Sequence, residues 1–207
     1  MSDDPYVYPG TTILRNKFGI RDAALLDYHE RELTTQRAEE GIPPGKFDLA
    51  HLRAIHRHLF QDLYEWAGEI RKVEISKEGH QFQFRQYIET GMADVHRRLV
   101  AQRFLQGTTP PDFARAAGPI IGDVNYVHPF REGNGRTQLQ YLKQLASQAG
   151  HRLDLRKVDA AAWIDASRAA HQARYEPMSA AIEAAIDRSR MHAGGTAGLT
   201  KDTERER

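Results

Sequence analysis

The sequence predicts a mainly α-helical fold, a compact bundle carrying one short β-hairpin. Three observations predict it. Apolar residues recur at helical spacing in six or more segments, from Arg21 to Ile186. A single stretch, Glu69–Arg85, alternates instead, with turn chemistry at Lys77-Glu78-Gly79 in its middle. Hydrophobic content of 40% and charged content of 28% are ordinary for a globular domain, and 207 residues make one domain with tails. Cysteine is absent, which removes disulfide frameworks and thiolate metal sites. A net charge of +1 gives no electrostatic case for direct binding of nucleic acid or an anionic membrane. No apolar run reaches the length of a membrane span, and Met1-Ser-Asp-Asp-Pro5 lacks the features of a signal peptide. The expectation is a cytoplasmic protein; an effector exported by a specialised secretion system would look the same.

The elements follow in order. Residues 1–20 form a lead-in that packs on the core through Tyr6, Tyr8, Ile13, Leu14 and Phe18, broken by Pro5, Pro9 and Gly10. Arg21–Glu40 is a helix with Ala24, Leu25, Tyr28 and Leu33 inward, ended by Gly41-Ile-Pro-Pro-Gly45. Asp48 caps a second helix running to Tyr64, striped by Leu49, Leu52, Ile55, Leu59 and Leu63. Its His51, His56 and His58 share no face with a carboxylate at a zinc-helix spacing, so surface or hydrogen-bonded histidines are expected. After the hairpin, Tyr87–Leu105 is a third helix with Ile88, Met92, Val95, Leu99 and Val100 inward. Pro111 or Asp112 opens a fourth, carrying Phe113, Ala116, Ile120, Val124 and Val127. Gly135–Ala149 is central, and Val158–His171 and Pro177–Ile186 complete the bundle. Residues 21–190 are thus one domain, and 191–207, small residues followed by alternating charges, are a disordered tail.

The chemistry concentrates in His128-Pro-Phe-Arg-Glu-Gly-Asn-Gly-Arg136, a loop between two helices. Gly133 and Gly135 let the backbone turn tightly and approach a ligand. N–H groups running into a helix N-terminus cradle anions. Arg136 offers a planar fork to phosphate oxygens, and Glu132 is the hard oxygen ligand Mg²⁺ takes beside a phosphate. His128 titrates near neutral pH and can take a proton from an attacking hydroxyl. Phe130 anchors the loop to the core. Asn134 caps the following helix, holds a phosphate, or both.

This stretch resembles the signature of Fic-domain enzymes, His-x-Phe-x-(Asp/Glu)-Gly-Asn-Gly-(Arg/Lys)-x-x-Arg. Tyr6-Val-Tyr-Pro-Gly10, His56–Gly68 and the basic stretch after it resemble the bacterial toxin branch called FicT, so the likeness covers about Tyr6 to Ile186. The resemblance implies the Fic fold and a protein adenylyltransferase that moves AMP from ATP to a Tyr, Thr or Ser hydroxyl. It implies His128 as catalytic base, Glu132 as the Mg²⁺ ligand, and nucleotide contacts from Arg131, Gly133, Asn134, Gly135 and Arg136. It makes the hairpin a flap that positions the target, with Lys77 and Glu78 at the tip near the nucleotide. Type II topoisomerase subunits become the expected target, and a small antitoxin chain a possible partner. One departure is plain: the last arginine of the signature falls on Leu139, so weaker ATP binding or another nucleotide choice is expected. Thr35-Gln-Arg-Ala-Glu39-Glu40 and Ser179-Ala-Ala-Ile-Glu183-Ala184 approach the family's inhibitory pattern but miss its final Gly or Asn, and are taken as ordinary helix. The alternatives are transfer of UMP or phosphate, and a degenerate Fic fold that only binds.

Overall fold

The computed structural model describes residues 4–77 and 79–187. The disordered tail expected at 191–207, and Glu78 at the hairpin tip, lie outside the described residues. Seven α-helices are described: α1 (Ala23–Glu40), α2 (Leu49–Phe60), α3 (Ile88–Ala101), α4 (Pro110–Val127), α5 (Asn134–Gln148), α6 (Ala160–Ala170) and α7 (Glu176–Ala185). Strands β1 (Ser76–Lys77) and β2 (His80–Gln81) pair antiparallel, Ser76 opposite Gln81 and Lys77 opposite His80. No helix among the described residues is long and apolar enough to cross a membrane.

Helix starts follow cap chemistry. Asp22, Asp48, Thr109 and Asp159 each accept an N–H bond from the first turn of α1, α2, α4 and α6. Each cap stands close to the expected start, so the helix order of the sequence holds. α4 and α5 form the centre, with Phe113, Ile120, Ile121, Tyr141, Leu142 and Leu145 essentially inaccessible. α2 lies against α5, and α6 and α7 pack on α4. At about 25 cal/mol per Å² of apolar surface, burying this spine is the main stabilising term.

Several expectations are corrected. α1 turns a different face inward: Leu26, Glu30 and Thr34 are buried, while Leu25 and Tyr28 are about half exposed. The buried stripe includes two polar residues that a hydrophobic pattern does not reveal: the Thr34 hydroxyl donates to the Glu30 backbone carbonyl at 2.7 Å, and the Glu30 carboxylate accepts from Tyr64 and Arg136. α2 stops at Phe60 rather than Tyr64. α3 ends at Ala101, because Arg103, Phe104 and Leu105 take left-handed backbone angles that a helix cannot continue through. Val100 is half exposed rather than inward. The hairpin is much shorter than the alternation over Glu69–Arg85 suggested: strand pairing stops at Ser76–Gln81, and the flanking residues are held by Arg71 and by bonds to Tyr126 and Pro129 instead of by a longer ladder. The hydrogen-bonded histidines expected in α2 are found: His51, His56 and His58 each bond to backbone, the first two buried.

Candidate active site

His128 is the residue that ends α4. Its φ of 46° and ψ of 61° place it in the left-handed region, which turns the chain sharply out of the helix. A non-glycine residue there costs about 1 kcal/mol or more, so the surroundings must hold it. Its Nδ1 lies 2.9 Å from the carbonyl oxygen of Asn125. A carbonyl only accepts, so Nδ1 carries the proton and Nε2 keeps its lone pair. Burial pushes the imidazole pKa down to about 4; the Asn125 bond opposes this, and the nearby Arg71 guanidinium and His171 assist it. At neutral pH His128 is uncharged, the form a general base needs.

The loop that follows is held on every side. Phe130 is fully buried, and the His56 ring stacks on it at 3.9 Å. His56 Nδ1 accepts from the Gly68 N–H at 2.8 Å, which leaves Nε2–H to donate to the Glu132 carbonyl at 3.0 Å. Burial drives the His56 pKa down to about 3, keeping it neutral in this role. The Asn134 side chain accepts from the Phe130 N–H and donates to the Phe130 carbonyl, at 2.9 and 2.8 Å. It therefore does not cap α5; Gly133 stands at that position, and Asn134 offers a ligand its backbone. Gly133 has φ 82°, and a Cβ built on it would come within 2.3 Å of the Phe60 ring. Only glycine meets both demands.

Around the loop lies a cleft of about 520 Å³, a size that suits a nucleotide-scale ligand. Its floor is His128, Glu132 and the first turn of α5, where N–H groups without helical partners face outward. Lys77 of the hairpin, Gly133, Asn134, Gly135 and Arg136 all line it. Arg131 does not. It is drawn away by an ion pair with Asp4, Nη2 to Oδ2 at 2.8 Å. Arg136 is shared: its guanidinium is hydrogen-bonded to the buried Glu30 of α1, lies 4.8 Å over the Phe60 ring and stands 3.9 Å from Glu132. The Tyr64 hydroxyl donates to the same Glu30 carboxylate. The pKa of Tyr64 is raised, by burial first and by Glu30 second, so it stays a donor.

Sequence reasoning missed the opposite wall. Leu155, Val158, Trp163 and Ile164, with Ser167 and His171, bring α6 and its approach over the loop, and Leu139 continues this apolar surface. Phe82, just after β2, stacks on the His128 ring at 3.7 Å and meets His171 edge-on at 5.0 Å. The helical periodicity of α6 carried a signal of an inward face, but nothing in it distinguished a core from a cleft. Glu132 is half exposed, with Oε1 accepting from the Gly133 N–H. No group of three or more His, Cys, Asp or Glu able to hold a metal occurs among the described residues. A single accessible carboxylate beside a phosphate cradle fits Mg²⁺, which takes one or two carboxylates with the rest of its shell from phosphate and water.

The helical body, the left-handed histidine at a helix end and the glycine-lined turn into a helix start accord with what comparisons with known proteins show. The chain belongs to the Fic/DOC family, whose profile matches residues 46–146. It is 40% identical over 185 residues to a probable protein adenylyltransferase of Sinorhizobium fredii, covering 89% of this chain and 96% of that one. A probable protein adenylyltransferase Fic of Escherichia coli is 35% identical over 166 residues, covering 80% and 83%. Among solved structures, the BepC effector protein of Bartonella tribocorum with bound AMPPNP superposes with a TM-score of 0.81 at 27% identity, covering 89% of this chain and 97% of that one.

Proposed function

We propose that the protein is an adenylyltransferase that moves AMP from ATP onto a hydroxyl of a target protein. The observation that carries this is His128: neutral, with Nε2 free, in a cleft floored by an anion-binding helix start. Relatives named protein adenylyltransferases, and a neighbour solved with AMPPNP, support the nucleotide. The ATP phosphates lie along the first turn of α5, where the backbone N–H groups and Arg136 meet their charge. The nucleoside lies against the apolar α6 wall. His128 Nε2 takes the proton of the target hydroxyl as its oxygen bonds to the α-phosphorus; the bond to the β-phosphate oxygen breaks and pyrophosphate leaves. Glu132 is the residue that would hold Mg²⁺, which when bound neutralises phosphate charge.

The target enters beside the hairpin. Its two-residue strands leave an edge that an extended segment could join, with Lys77 facing the cleft. Type II topoisomerase subunits are the first acceptors to try, and a small antitoxin chain the first regulator to seek. Leu139 supplies a second reading. It puts an apolar side chain on the cleft wall where the resembled signature has an arginine, so ATP would be held differently, and UMP or phosphate transfer is the alternative to test. Protein labelled by α-labelled but not γ-labelled ATP, and abolished in His128→Ala, supports AMP transfer. Label arriving from the γ position, or from UTP in preference to ATP, sinks it in favour of the second reading.

A further inference from the structure

Arg71 is buried with no exposed side-chain surface, yet it lies outside the motif and outside the cleft lining. A buried guanidinium is costly unless every donor is used. Here its donors go to two places. Nε donates to the His128 carbonyl at 2.9 Å, and the Arg71 backbone N–H donates to the Pro129 carbonyl at 2.9 Å. Nη1 donates to the Val73 carbonyl at 2.9 Å, and Nη2 donates to the Gln83 carbonyl. Val73 precedes β1 and Gln83 follows β2. One side chain thus joins both roots of the hairpin to the backbone of the residue held in the left-handed conformation. Glu74 balances the charge, accepting from Nη1 at 3.2 Å and from the Arg85 N–H at 3.1 Å. Further ties to the body are the Gln83 N–H to the Tyr126 carbonyl at 3.0 Å, the Lys72 N–H to the Tyr6 hydroxyl at 3.0 Å and the Phe82 ring on His128.

We propose that Arg71 is a positioning residue for the transfer: it clamps the hairpin to His128 and so sets where a hydroxyl carried by the hairpin stands relative to the base. This rests on the reading that the hairpin presents the target and that His128 takes its proton. Without the clamp, the hairpin keeps its strand pairing but loses its fixed position, and the left-handed turn at His128 loses its main carbonyl partner. Nucleotide contacts made by the first turn of α5 are not touched.

The test uses the full chain as wild type, Arg71→Lys and Glu74→Ala. Lysine keeps the charge and the backbone bond to Pro129 but cannot span the three carbonyls of His128, Val73 and Gln83. In Arg71→Lys, hydrogen exchange should speed up roughly tenfold in peptides covering 72–87 and 128–131 and stay unchanged in α2, α5 and α7. Affinity for AMPPNP by calorimetry should stay within about twofold, while the rate of labelling of lysate protein from α-labelled ATP falls about a hundredfold, the penalty of a misplaced reacting group. Glu74→Ala, at a side chain 41% exposed, should shift the same two peptides in the same direction by a few-fold. Unchanged exchange in those peptides, or AMPPNP affinity falling in step with labelling, overturns the clamp. If Arg71→Lys exchanges everywhere, it has unfolded and Glu74→Ala decides. A wild type that labels nothing refutes the transfer reading instead, and the exchange data still report on the clamp.

Discussion

Two neighbouring segments face each other across the cleft and are built in opposite ways. The loop from His128 to Arg136 has ties on nearly every residue: Arg71 and Asn125 on His128, His56 on Phe130 and Glu132, Asn134 back on Phe130, Phe60 against Gly133, Glu30 on Arg136. The hairpin has two residue pairs and is fastened at its roots. Chemistry on phosphorus tolerates little error in the position of a base, so the loop is rigid. The proposed docking of a target chain would use an edge that can adjust, and the hairpin is minimal. An isolated pair of strands this short has little stability of its own.

The comparison is broken most severely at the base. His128→Ala should lower labelling about a thousandfold, within the range for loss of a general base, with the melting temperature nearly unchanged. Gly133→Ala comes next. It adds a side chain at φ 82° and drives it into the Phe60 ring, for a loss of roughly 2–4 kcal/mol and a melting temperature lower by about 5–15 °C, read by calorimetry. Acid should unpick the loop before the hairpin matters. The pKa of His56 is about 3 when folded, below the ordinary histidine value, so between about 6.5 and 3 the unfolded chain binds a proton the folded chain refuses. Stability therefore falls as pH drops through that window, and His56→Phe should flatten the slope in urea melts from pH 7 to 4. The smallest effect is at the cleft wall. Leu139→Arg should tighten AMPPNP binding about fivefold by adding a donor fork near the phosphates. Weaker binding would show that this apolar wall holds the nucleoside and tolerates no charge.

The sequence made the rigid half legible and left the other half dim, for a physical reason. The loop's function is written in contiguous residues, because a turn into a helix start binds phosphate with its own backbone. Its supports are not contiguous. Glu30, His56 and Arg71 reach it from two helices and the hairpin root, and each looks locally like a surface charge or an idle histidine. In α1 the apolar spacing falls on Leu25 and Tyr28, which are about half exposed. Its buried side is instead organised by Glu30, which binds Arg136 and Tyr64. Arg131 sits inside the motif, yet Asp4, more than a hundred residues earlier, takes it away from the cleft. The helices themselves were readable from caps and periodicity, except where left-handed residues at 103–105 ended α3 early.

The central claim is that His128 acts on the proton and not on the nucleotide. It is tested most directly by measuring AMPPNP affinity and α-label transfer on the same preparations of wild type and His128→Ala. The account predicts dissociation constants that agree within about twofold while transfer falls about a thousandfold. Transfer that survives the substitution, or affinity that collapses along with it, would contradict the account.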